Sequence, residues 1–363
     1  MVKPADKVSA GFDRNPSGWH EFWPMALSLP LPIFTILAAV SFAPCAKIVP
    51  AHHAFHYVRD SKGEQFVRIW RSLLFVPANQ RRMLDKLNSL PADGFIFDLE
   101  DTIPAAEKEN ARAMAAECIA RTPDNKSWVR VNALPSGYLH EDLVAFVGMP
   151  GLAGLVAPKQ DSPADVAALD RMLTSVEVRK GLVPGSTAVI VMIESASGVL
   201  QSHQIMTGAK RIESAIYAGG EDGDMNVSLG ATWSSEGPEM MFVRQFTLVA
   251  CRAADFYCPL DGVYSNIRDL DGFKRDTVLS KRLGFRGRTV IHPTQIEAAN
   301  EIYTPSAAEI DYSRRVIKAF DEALARGTAS TTVDGKLVDV AMVKTAQRVL
   351  DLVESIAGYG KSK

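Results

Sequence analysis

From residue 71 to residue 291, short apolar runs alternate with longer segments whose apolar residues recur every three or four positions. Eight runs stand in series: RSLLFV (71–76), GFIFDL (94–99), WVRVN (128–132), GLVA (154–157), AVIVMI (188–193), AIYA (215–218), GVY (262–264) and TVI (289–291). Most are apolar throughout rather than at every second position, the mark of strands covered on both faces. GVY is the weakest of the eight. The segments between them, 105–121 and 164–173 for example, read as amphipathic helices, and the first of these stops at Thr122-Pro123. Eight βα units in series predict an α/β fold of the (β/α)8 barrel type rather than an open doubly wound sheet. No Gly-x-Gly-x-x-Gly follows any run, which weakens a dinucleotide-binding alternative.

The pattern divides the chain into three parts. Residues 1–66 form an N-terminal extension, 67–303 the barrel, and 304–363 a C-terminal helical extension. In the last part, 307–326 and 340–356 read as two amphipathic helices joined by GTASTTVDGKLVD, whose Asp334-Gly335 signals a tight turn. Such a tail is no ninth barrel unit and is expected to pack on the barrel or on a neighbouring subunit. In the first part, residues 22–46 are apolar, but Pro24, Pro30 and Pro32 crowd their first half. The proline-free remainder is short for a membrane span. Two readings stay open for this extension, a poorly ordered or dispensable segment and a targeting or anchoring element. His52, His53 and His56 lie close together there without an accompanying carboxylate or cysteine.

Composition narrows the class without naming it. The chain has 363 residues, 47% hydrophobic and 23% charged, and a formal net charge of −2. This is ordinary for a soluble globular protein, and the balance gives no reason to expect nucleic acid as a partner. Cys45, Cys118, Cys251 and Cys258 show neither a CxxC pair nor zinc-ligand spacing. They read as buried free thiols in a reducing cytoplasm.

In a barrel of this type, chemistry gathers where the strands end. Those positions hold Asp98, Glu100 and Asp101 at the end of the second run, Arg130 and Asn132 in the third, and Lys159 after the fourth. Glu194 follows the fifth, Gly219-Gly220-Glu221-Asp222 the sixth, and His292 the eighth. Charged groups are rarely buried without partners, so acids gathered with an Arg and a Lys suggest a bound cation and an anionic substrate. Glu194 closes an otherwise apolar strand, and Asp222 lies one strand further round. Two carboxylates without His or Cys suit a hard, oxygen-seeking ion. Alternatively, each acid caps the helix that follows it. His292, before Pro293, reads as structural.

At these residues the sequence resembles the HpcH/HpaI aldolase and citrate lyase beta-subunit family. The resemblance covers roughly residues 70–355. It is carried by RSLLFVPAN (71–79), DGFIFDLEDTIPAAEKENAR (93–112), WVRVN, APK (157–159) and VIVMIESASGV (189–199). GGEDGDMNVSLGAT (219–232), IHPTQIEAAN (291–300) and DGKLVD (334–339) follow in the family's order. The resemblance implies a (β/α)8 enzyme, a homotrimer, that uses Mg²⁺ to break or make C–C bonds through an enolate. Its citrate-lyase-like branch implies a 3-hydroxy-acyl thioester substrate of citramalyl, malyl or citryl type, on coenzyme A or a protein carrier.

Carried over by position, the resemblance makes Glu194 and Asp222 metal ligands and sets Arg130 on the substrate carboxylate or the developing enolate oxygen. Glu100 and Asp101 would support the metal's waters and Arg130. Arg71 and Lys108 would lie near the thioester's carrier. Asp339 would be an acid inserted into a neighbouring subunit's site, or else the cap of the helix that starts near Val340. Two departures from the family pattern matter. The spacing from Asp222 to Gly230 is two residues too long, which makes Asp224 the alternative ligand, and Asp339 is followed by Val340-Ala341 without the usual proline. Two rival readings are a metal-dependent pyruvate aldolase and a non-catalytic, membrane-attached relative. Pro77-Ala78-Asn79 stands where such aldolases carry a catalytic His after the first strand.

Overall fold

The computed structural model describes residues 57–59, 65–123 and 126–361. The apolar stretch 22–46, Cys45, and His52, His53 and His56 lie outside the described residues. A short antiparallel hairpin, β1 (Tyr57–Arg59) and β2 (Gln65–Val67), leads into the barrel. The barrel strands are β3 (Ser72–Pro77), β4 (Gly94–Asp98), β5 (Ser127–Arg130), β6 (Leu152–Ala157), β7 (Val189–Ile193), β8 (Ile212–Tyr217), β9 (Leu260–Asp261) and β10 (Gly287–Val290). All their pairings are parallel, and β10 closes the ring between β9 and β3. The closure is tight. A Cβ on Gly287 would meet the Trp70 carbonyl oxygen at 1.7 Å, so only glycine fits there.

Seven of the eight expected strands coincide with observed ones. The seventh does not: the strand is Leu260–Asp261, and residues 262–264 lie beyond it. A buried charge hid it, because Asp261 sits in the wall only 1% exposed, ion-paired with Arg244. The helix expected over 105–121 opens as a 3₁₀ turn, Ala105–Glu107, and continues as Lys108–Ile119. The one expected over 164–173 runs longer, from Pro163 to Arg179, with Ser162 capping it through the Asp165 N–H.

Inside the ring, Leu73, Ile96, Trp128, Val156, Ile190, Met192 and Ile216 form one buried cluster, with Trp70 packed edge-on to Trp128. A second, larger cluster fills the layer between strands and helices. Cys118, Cys251 and Cys258 are buried and unbridged, and burial pushes the Cys258 thiol up to about 11.

The tail forms helix Ala307–Ala325, hairpin β11 (Thr331–Val333) and β12 (Lys336–Val338), and helix Val340–Lys361. Asp334 and Gly335 both take positive φ, 50° and 73°, which is the two-residue turn that Asp-Gly predicts. Val316, Phe320, Val333, Val338 and Ala346 give the tail a small core of its own. Leu352 and Ile356 of the last helix pack on the barrel's inner cluster, and that helix touches β2. Since β2 feeds the start of β3, the last helix lies at the strands' N-terminal end.

Candidate active site

Side chains alternate along a strand, so residues two apart share a face. Ile96, Trp128 and Met192 belong to the inner cluster. Asp98, Arg130 and Glu194 stand two residues after each of them and form the next layer, at the C-terminal mouth. Asp98 and Glu194 are buried, Glu194 being 6% exposed, and the Arg130 side chain is 12% exposed.

Arg130 organises this layer. Its Nε and Nη2 donate to the two oxygens of Asp98 at 2.7 and 2.6 Å, and its Nη1 lies 3.1 Å from Glu100. Its guanidinium rests 5.1 Å from the centre of the Phe75 ring. Burial works against its charge, but Asp98, Glu100 and Glu194 outweigh burial and raise it above the ordinary arginine value. Burial likewise pushes Asp98 up, and Arg130 more than reverses that, holding the carboxylate below its usual range. Thr102 and the Glu100 N–H complete the Asp98 shell at 2.7 and 3.0 Å.

Glu100 is buried and joins both cations, with Lys159 Nζ 2.7 Å from its second oxygen. Asp101 is exposed and receives the same ammonium at 3.0 Å. Lys159 has left-handed backbone, φ 51°, and its main-chain N–H donates a short hydrogen bond to Glu194 Oε1.

Glu194 is the carboxylate least provided for. Burial pushes it up to about 7, the Lys159 N–H and Arg130 pull it down, and Glu100 and Asp224 push it up again. Deep burial, one main-chain donor and like charges nearby are what a divalent cation would relieve. Ser195 caps the helix Ala196–Leu200, and the Ala196 N–H donates to Ser228 Oγ at 2.9 Å. That bond ties the Glu194 loop to the helix Asp224–Leu229.

Asp224 opens that helix, 3.9 Å from Lys159 Nζ. Asp222 is exposed in the turn before it, with φ 54°, and makes none of these contacts. The two carboxylates that sequence left as alternatives are thus separated: Asp224 acts on Glu194 and Lys159. Among the described residues no three of His, Cys, Asp and Glu converge to enclose an ion. Glu194 and Asp224 fit a hard cation that fills the rest of its shell with water and substrate oxygens.

Other expected residues lie elsewhere. Arg71 precedes β3, at the barrel's opposite end, where it forks onto Asp93 at 2.7 and 2.8 Å and reaches Thr304 at 2.9 Å. Lys108 is buried under the mouth. Its ammonium donates to the carbonyls of Leu99 and Glu100 and to Asn132 Oδ1, at 2.6–2.7 Å, so it shapes the loop that carries Glu100. Asn132 is held in turn by Asp142. Asp339 caps the last helix, its Oδ1 accepting from Ala341 and Met342 at 2.9 and 3.1 Å. His292 Nδ1 pairs with Thr294 Oγ1 at 2.8 Å, a local turn contact. Asp98 and Lys159 stood among the strand-end charges of the sequence but were given no role of their own there. The signal was present in both, a charge at a strand end, but spacing alone did not say what either held.

The sequence profile of HpcH/HpaI aldolase/citrate lyase matches residues 71–293. The chain belongs to this family. Citrate lyase subunit beta of Haemophilus influenzae is 34% identical over 291 residues, 80% of this chain and 98% of that protein. A (3S)-malyl-CoA thioesterase of Cereibacter sphaeroides is 32% identical over 295 residues, 81% of this chain and 98% of that protein. The crystal structure of CitE from Mycobacterium tuberculosis, in complex with magnesium, acetoacetate and coenzyme A, superposes with a TM-score of 0.62 at 25% identity. That likeness covers 78% of this chain and 97% of CitE. No helix among the described residues of this family member is long and apolar enough to cross a membrane.

Proposed function

We propose that this chain is a Mg²⁺-dependent carbon–carbon lyase that cleaves, or forms, a 3-hydroxy-acyl-CoA of the citramalyl, malyl or citryl type. The observation that carries the reading is the buried, under-compensated Glu194 beside Arg130 at the barrel mouth. The relatives support it: one is a citrate lyase subunit, one acts on malyl-CoA, and one binds magnesium, a keto acid and coenzyme A.

In this reading Glu194 and Asp224 hold the ion. Bound Mg²⁺ supplies Lewis acidity and a template for substrate oxygens. Cleavage passes the proton of the 3-hydroxyl to water at the mouth and breaks the bond between the carbinol carbon and the carbon next to the thioester. The electron pair stays with the thioester as an enolate. Arg130, fixed by Asp98, offers its charge where the enolate oxygen builds, an effect usually worth about 3 kcal/mol. Glu100 holds both Arg130 and Lys159, and Asp101 holds Lys159, beside the place the ion would take. Asp339 of a neighbouring subunit in a homotrimer is the acid that returns a proton to the enolate carbon. Its cap bonds both fall on Oδ1, which leaves Oδ2 for that task.

A second reading, hydrolysis of the thioester, is favoured by the malyl-CoA thioesterase relatives. Incubation with citramalyl-, malyl- and citryl-CoA in the presence of Mg²⁺ tests both. Lyase action releases a keto acid or aldehyde and a shortened acyl-CoA, whereas hydrolysis releases free thiol. Turnover of none of the three would contradict the assignment.

A further inference from the structure

One lysine touches both candidate ligands. Lys159 reaches Glu194 through its main chain and Asp224 through its side chain, and the same ammonium bridges Glu100 and Asp101. Its backbone is left-handed, a conformation that residues with a Cβ seldom take and that glycine takes freely. A glycine there would remove the strain and still leave an N–H for Glu194. What the lysine adds is the ammonium.

That ammonium sits inside an excess of negative charge. Asp98, Glu100, Asp101, Glu194 and Asp224 gather around the mouth, and Arg130 is already committed to Asp98 and Glu100. Lys159 is the cation shared between the Glu100–Asp101 pair, at 2.7 and 3.0 Å, and Asp224, at 3.9 Å.

We propose that Lys159 is a positioning residue that sets the affinity of the ion site. Its main chain aims Glu194, while its ammonium competes with the incoming ion for Asp224. This inference rests on the reading that Glu194 and Asp224 hold Mg²⁺. A built-in positive charge beside an ion site lowers affinity, leaving the ion less tightly held while substrate oxygens enter its shell. Removing the charge while keeping the N–H raises affinity.

The test is calorimetric titration of Mg²⁺ into wild type, Lys159→Met and Lys159→Arg, with Glu194→Gln as reference. Lys159→Met should bind Mg²⁺ roughly fivefold or more tightly than wild type, since one unit of repulsion at this range is lost. Lys159→Arg, which keeps the charge, should stay near wild type. A lysine that merely props up the fold could only weaken binding when removed. Lys159→Met that binds as wild type does, or more weakly while melting at the wild-type temperature, overturns the inference. If Lys159→Met fails to fold, Lys159→Gly, which relaxes the backbone, carries the same expectation. Wild type that binds no Mg²⁺ would instead sink the functional reading itself.

Discussion

Arg130 and Asp98 face each other across neighbouring strands with two parallel bonds, Nε to Oδ1 at 2.7 Å and Nη2 to Oδ2 at 2.6 Å. The fork fixes the plane of the guanidinium and leaves Nη1 turned toward Glu100. Asp98→Asn removes the charge that compensates a buried cation. It should cost about 3 kcal/mol of stability, because breaking a buried pair strands its partner. Turnover should fall roughly a hundredfold as Arg130 loses its fixed aim. Urea unfolding and steady-state kinetics check the two separately. Unchanged turnover would show that Arg130 needs no such support.

Glu194 makes stability depend on pH in an unusual direction. Burial raises the folded carboxyl to about 7, above its ordinary 4.5. A raised acid contributes its full stability below the unfolded value and loses it as pH rises through the folded one. In EDTA, wild type should therefore lose stability between pH 5 and 8, by up to about 3 kcal/mol. Glu194→Gln, with no charge to bury, should lose less over the same window. Glu100 and Asp142 are also raised by burial, so the difference between the two proteins is the quantity to measure. Mg²⁺ should reverse the trend, stabilising wild type more at pH 8 than at pH 5.5. Parallel pH profiles for the two proteins would remove Glu194 from the account.

The second ligand separates by mutation. Asp224→Asn should weaken Mg²⁺ binding at least tenfold, because Asp224 is the carboxylate coupled to Glu194 and Lys159. Asp222→Asn, in the exposed turn, should change it less than threefold. The reverse ranking in calorimetric titrations would mean that the turn rearranges around the ion.

Asp339 is tested by mixing. Asp339→Asn and Glu194→Gln should each be inactive alone. Mixed oligomers of the two should regain part of the activity, since some sites then combine both intact residues. No recovery after verified subunit exchange would confine Asp339 to its cap. An active Asp339→Asn protein would do the same.

The barrel was legible because its strands are apolar on both faces and separated by helical periodicity. The exception is instructive. β9 is two residues long and places Asp261 inside the wall, where Arg244 neutralises it. A charge partnered from a helix seventeen positions earlier leaves no local mark, so the eye moves on to Val263-Tyr264. Site residues were legible as charges at strand ends, which is why Glu194, Arg130 and Glu100 stood out. Their pairing was not, since Asp98 and Arg130 meet through strand register rather than spacing. Arg71 shows the converse: it opens a family-like motif but lies before its strand, at the wrong end of the barrel for the chemistry. Lys159 needed the structure, because nothing in Ala157-Pro158-Lys159 announces a left-handed residue.

If Glu194 holds the ion, turnover depends on both. The direct measurement is cleavage of the preferred acyl-CoA by wild type and Glu194→Gln, each assayed in EDTA and after Mg²⁺ is restored. Wild type should be inactive in EDTA and recover fully with Mg²⁺. Glu194→Gln should stay inactive in both while keeping the wild-type circular dichroism spectrum. Near-normal turnover of wild type in EDTA, or of Glu194→Gln with Mg²⁺, would contradict it.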